Sequence, residues 1–269
     1  MLKLLKYEWK ACARTCLPLY GAVLVISVIN RLFGLFRKSP MPDNRWIELI
    51  GMLMGFVYFG IMVAVAVVTT VLLIQRFYKS LLGDEGYLMF TLPVTPAQHI
   101  WAKTIIAVVM CALACVVSVC SILILADGMN GLVGLGGLFQ EIARMVSAKP
   151  IALVYGLEAM LWMTISAVCG ILFIYLCIAL GHLAKKHRVA MAVVWYFVLS
   201  SVLQFAAVGL VYLLDESPLY YLLLGWSEGM PQAATFHVSM LTVCLLELIP
   251  TAVFFFGTQY ILKNRLNLE

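Results

Sequence analysis

Residues 76 to 103, RFYKSLLGDEGYLMFTLPVTPAQHIWAK, hold the densest group of reactive and recognisable side chains in this sequence. Asp84 and Glu85 form an acidic pair, Tyr87 and Phe90 add rings, and Pro93-Val94-Thr95-Pro96 makes a stiff stop. The segment lies between two long apolar runs. Most connections inside a compact fold need only a handful of residues. A linker of 28 residues with charge and aromatics reads as a surface meant to be touched by another molecule.

Few other positions offer chemistry. Arg31, Glu158 and Glu247 are ionisable residues inside apolar runs, where a charge is expensive and normally faces a partner or a wet path. Two readings stand side by side: a substrate or proton route, or structural pairs, with Arg31 and one of the glutamates as candidates for pairing. The second is favoured, because all three lie toward the outer leaflet. The histidines (His99, His182, His187, His237) show no metal-ligand spacing with Cys or acids, so no metal is expected. There is no G-x-x-x-x-G-K-[ST] phosphate loop and no H-E-x-x-H, and no Gly-x-Ser nucleophile of the intramembrane protease kind lies within a predicted span, the triplet Gly225-Trp226-Ser227 falling between two of them. An enzyme is therefore not expected, and no cofactor. The glycines at 128, 131, 134, 136 and 137 follow no strand, so they are not a phosphate cradle. Six of the eight cysteines fall within apolar runs and act as small hydrophobes.

The elements that must position these residues are membrane helices. Of the 269 residues, 64% are hydrophobic and 12% charged, and the mean hydropathy is +1.03. Soluble domains carry about 25% charged residues. A crossing helix needs about 20 apolar residues, and backbone polar groups in hydrocarbon must pair within the helix. The pattern predicts an all-α integral membrane protein, a single domain over 1–269, with spans near 17–36, 49–75, 100–126, 151–183, 190–214 and 237–262. With the N-terminus in the cytoplasm, twelve of the eighteen Lys and Arg fall on the inner side. Both termini are then cytoplasmic, and the +5 net charge follows from this asymmetry without calling for nucleic acid.

Two peripheral features stand out. Over residues 1–15, Lys3, Lys6, Lys10 and Arg14 share one helical face, and Leu2, Leu5, Trp9 and Cys12 share another, the pattern of an interfacial helix lying on the bilayer. Between spans five and six, Leu219 to Trp226 is apolar but too short to cross, with Pro218 and Pro231 on its flanks. It reads as an outer re-entrant hairpin.

In the linker itself, Arg76 to Leu82 can prolong the second span and Gly83 permits a stop. Asp84 or Glu85 suits the start of a short transverse helix. Thr95 suits the N-cap of the third span, with Pro96 at its first helical position.

Glu85-Gly86-Tyr87-Leu88, then Thr91-Leu92-Pro93-Val94-Thr95, then Lys103, resembles the linker between the second and third spans of ABC-2 type transporter permeases. That family often reads Glu-x-Gly-Thr-Leu-Glu, a Thr-Pro-Val-Ser stretch and a Lys in the next helix. Here Tyr87 stands where Thr is common, and the gap from Gly86 to Pro93 is shorter by about two residues. The local likeness covers about 25 residues; six spans, a basic elbow, internal termini and an outer hairpin are similar over the whole chain.

The resemblance implies a coupling helix formed by Asp84, Glu85, Gly86, Tyr87, Leu88, Met89 and Phe90, seated in a cleft of a separate ATPase subunit. It implies a pair of such ATPases, which bind the ATP and Mg, and a second permease, either another copy or a homologue. The expected activity is export of an amphipathic substrate (a peptide antibiotic, a lipid-linked molecule or a drug) across the cell membrane. The alternatives are a non-transporting sensor or immunity subunit on the same fold, and an ion-coupled secondary transporter.

Overall fold

The computed structural model describes residues 2–37, 45–82, 95–127, 151–184, 186–215 and 231–264, with residue 229 and four positions between 137 and 147 besides. Among them, six helices are long and apolar enough to cross a membrane. They are α1 (Leu2–Arg37), α2 (Arg45–Phe77), α3 (Pro96–Asp127), α4 (Ile151–His182), α5 (Arg188–Asp215) and α6 (Gln232–Asn264). The chain is thus an all-helical protein of multi-pass membrane type. Each helix contains one of the predicted spans, except that α4 ends at His182, one residue short of the fourth.

Three boundaries differ from the sequence reading. No break separates residues 1–15 from the first span, because α1 runs continuously from Leu2. Nothing before Pro18 interrupts helix formation, and the face that carries Leu5 and Cys12 is packed against protein. Helix α2 starts at Arg45, four residues before the expected span, whereas α3 starts at Pro96, the first helical position that Thr95 and Pro96 predict. Helix α6 starts at Gln232, five residues early, because the Pro231 carbonyl accepts from the amides of Ala234 and Thr235 and opens the helix there. The apolar middle of the expected hairpin, residues 219–226, lies outside the described residues, as does the expected coupling helix at 84–90.

The chain forms two compact units, residues 1–76 with 105–152 and residues 77–104 with 153–269. The first is built on one face of α1. Cys12, Cys16, Tyr20 and Val23 recur at helical spacing and pack with Val65 of α2 and Ile106 and Met110 of α3. Polar groups tie the same three helices. The Tyr20 hydroxyl bonds to Thr69 Oγ1 at 3.3 Å and donates to the Met110 carbonyl at 3.2 Å. Tyr58 and Ser121 share a hydrogen bond, and Asn30 donates to the Met54 carbonyl. In lipid such bonds hold helices together where the hydrophobic effect supplies little.

In the second unit α4 and α6 run parallel as a long seam. Glu158 meets His237, Ser166 meets Glu247, Phe173 meets Phe254 and Leu176 lies over Gly257. These pairs keep a nearly constant offset in sequence, so the two helices point the same way along their length.

Candidate functional site

The residues that bracket the linker are firmly placed in the second unit. Beyond α2, Tyr78–Leu82 continue as one turn of π-helix. Such turns are uncommon and often mark functional sites. Phe77 and Leu81 on this stretch are fully buried. Phe77 stacks flat on Tyr175 of α4 with ring centroids 3.8 Å apart, and Tyr78 stands edge-on to His182 at 6.0 Å. The helix therefore carries its packing through the first turn of the linker as far as Leu81.

The far end is just as well defined. Thr95 caps α3, with Pro96 in the first turn as predicted. The Gln98 amide donates to Thr95 Oγ1 at 3.4 Å, and the Thr95 amide donates to Gln98 Oε1 at 3.3 Å, which makes a reciprocal capping box. One turn on, His99, Ile100, Lys103 and Thr104 are all buried, Lys103 at 5% exposure. Burial of an ammonium group is uncommon. Trp101 meets Phe255 of α6 at 5.2 Å. Both ends of the linker are thus seated on α4 and α6 as well as on their own helices.

The intramembrane ionisable residues make contacts of their own. Arg31 in the first unit donates through Nη1 to the carbonyls of Ala126 at 2.9 Å and Leu125 at 3.3 Å. The last carbonyls of a helix have no intrahelical partner and carry the negative end of its dipole, so Arg31 caps α3. Glu158 and Glu247 sit on the α4–α6 seam. Glu158 accepts its closest contact from His237 Nδ1 at 2.7 Å, and Ser166 donates to Glu247. Tyr155 stacks on His237 at 4.8 Å, and Phe236 stands edge-on to Tyr155.

Sequence reasoning missed two partners. His237 was set aside because no acid lies near it in sequence, yet Glu158 reaches it across 79 residues. Glu8 was overlooked among the N-terminal lysines. It is buried and forms an ion pair with Arg76 at 2.9 Å. A signal existed: Glu8 stands one turn before Cys12, on the face that Cys16 and Tyr20 continue. Among the described residues no group of three or more His, Cys, Asp or Glu is placed to hold a metal. No protein-family model matches the chain, and neither a curated protein nor a solved structure matches it.

Proposed function

We propose that this protein is the membrane-spanning subunit of an ATP-driven exporter of the ABC-2 type. Two membrane subunits work with a pair of separate ATPase chains, which bind the ATP and Mg. The substrate is amphipathic: a peptide antibiotic, a lipid-linked molecule or a drug. The termini face the cytoplasm of the cell membrane, residues 84–90 are the coupling helix, and the exposed Lys6, Lys10 and Arg14 of α1 suit anionic headgroups.

The observation that carries this reading is the anchoring of the linker. Phe77 and Leu81 at its start, and His99 and Lys103 at its end, are buried. Stacking of Phe77 on Tyr175 and the tilted ring contact of Trp101 with Phe255 hand a displacement of the linker to α4 and α6. A linker with free hinges would absorb a push; close-packed anchors transmit it. That is what ATP-driven closure in a partner requires, and it fits a chain with no phosphate loop of its own.

The test is co-purification with a candidate ATPase from the same operon. Wild type is compared with a Glu85→Arg, Tyr87→Ala double variant. Capture by wild type and loss in the variant is the expected outcome. Absence of capture in both would refute the reading.

The Glu158–His237 and Ser166–Glu247 contacts favour a second reading, an ion-coupled transporter. Glu158→Gln with Glu247→Gln separates the two. Loss of transport with ATPase coupling intact would move the assignment to a proton route.

A further inference from the structure

A cavity of about 460 Å³ lies where the π-turn after α2 meets the start of α5, lined by Tyr78, His187, Arg188, Val189 and Ala190. Its size suits a small ligand or the head of a larger one. Short-range bonds fix the turn that builds it. The Leu183 amide donates to the Leu180 carbonyl and the Ala184 amide to the Gly181 carbonyl, both at 3.2 Å, which closes α4. His187 takes a left-handed backbone with φ 53°, and its carbonyl accepts from the Met191 amide at 3.0 Å, which opens α5. The shape therefore belongs to the fold.

The charge around this cavity is of one sign. Arg188 stands within electrostatic range of His182. Exposed Lys79 follows Tyr78, and exposed Lys186 precedes His187. Among the described residues no carboxylate pairs with Lys79, Lys186 or Arg188. The described glutamates of this unit are remote. Glu158 stands on α4 about 36 Å of helix before His182, and Glu247 meets Ser166 about 24 Å before it. Cations gathered without an acid call for an anion from outside the chain.

Depth and surroundings say which kind. One apolar span ends at Leu81, another at His182, and a third begins at Arg188. The contact of Tyr78 with His182 brings these ends to one level, where hydrocarbon gives way to headgroups. Leu183 and Val189 are exposed beside the cations, so a ligand with a negative head and an apolar body meets both kinds of surface. Arginine presents paired N–H donors that match phosphate oxygens, and a tyrosine hydroxyl adds a further donor. Basic pockets at the ends of membrane helices are suited to phosphate headgroups.

We propose that this cavity binds a phosphate group carried by an anionic lipid headgroup, with Arg188 and Tyr78 as its donors and Lys79 and Lys186 supplying attraction at longer range. The site does not depend on an ATPase. A lipid held there bears on Tyr78, where α2 passes into the linker.

The experiment presents the purified full chain, in neutral detergent, with phosphatidylglycerol or phosphatidylcholine and counts retained lipid by native mass spectrometry. A parallel titration with inorganic phosphate separates a free phosphate from a lipid one. Wild type is compared with Arg188→Gln, Tyr78→Phe and Lys263→Gln. Lys263 is exposed near the end of α6, does not line the cavity, and its replacement removes the same charge as Arg188→Gln. We expect phosphatidylglycerol to be retained about tenfold better than phosphatidylcholine. Arg188→Gln should lower its retention about tenfold and Tyr78→Phe about threefold, with Lys263→Gln unchanged. Binding of inorganic phosphate that Arg188→Gln abolishes, without preference between the lipids, would keep the anion site and make its ligand free phosphate. Three results would overturn the proposal. The first is equal retention of both lipids with no phosphate bound. The second is an Arg188→Gln variant that binds as wild type does. The third is a Lys263→Gln variant that loses as much as Arg188→Gln, which would mark diffuse surface charge instead of a built site.

Discussion

At Gly181, near the end of α4, helix α5 comes close enough to allow a prediction of definite sign. A Cβ placed on Gly181 would lie 2.5 Å from the Cα and the amide nitrogen of Ala192 in α5 and 2.6 Å from its Cβ. Carbon atoms settle at about 3.5–4.0 Å, so α4 and α5 would have to separate locally by about 1 Å. The obstacle is backbone, which no rotamer change relieves. Overpacking of this kind costs about 1–3 kcal/mol. Alanine in a helix recovers about 0.5–1 kcal/mol relative to glycine, which leaves Gly181→Ala destabilised by about 1–2 kcal/mol. Gly170 lies on the same helix with nothing within 4 Å of its added Cβ. Gly170→Ala therefore keeps the helical gain without the clash, and the two variants should differ by about 1–3 kcal/mol. Reversible unfolding in mixed micelles measures both. The clash also has a functional reach, because His182, the next residue, stands against Tyr78 at the linker. ATPase capture should fall in Gly181→Ala and hold in Gly170→Ala. If Gly181→Ala matched Gly170→Ala in stability, the close α4–α5 packing would be refuted.

Three further outcomes follow from the contacts described. Phe77→Ala removes a fully buried ring stacked on Tyr175 and should cost about 3–5 kcal/mol, read by the same unfolding assay; a loss below about 1 kcal/mol would show the stack to be absent. Tyr20→Phe deletes one hydroxyl that bridges α2 and α3 through Thr69 and the Met110 carbonyl, so a loss of about 1–2 kcal/mol is expected with packing otherwise kept. His237→Ala should destabilise wild type more than it destabilises Glu158→Leu, with a coupling of about 0.5–3 kcal/mol in a double-mutant cycle; strict additivity would mean that the pair does not form.

What the sequence determined by itself is the set of elements. Six apolar runs of bilayer length can only be helices, because hydrocarbon offers the backbone no other partner. The cap at Thr95 was legible for a similar reason: its bonds run to Gln98, three residues away. The break expected after residue 15 was not there, since an amphipathic segment without Gly or Pro can as well continue a helix as lie beside it.

What only the tertiary structure decided is partnership. The hydroxyl of Tyr20 finds Thr69 and Met110, Glu158 finds His237, Arg31 finds the end of α3, and Glu8 finds Arg76. Each bond joins residues dozens of positions apart. A polar group in an apolar helix announces that it needs a partner, and burial in lipid makes that need strong. Which partner answers depends on the rotation and register of neighbouring helices. That is a property of how whole faces pack, and no local run of residues encodes it.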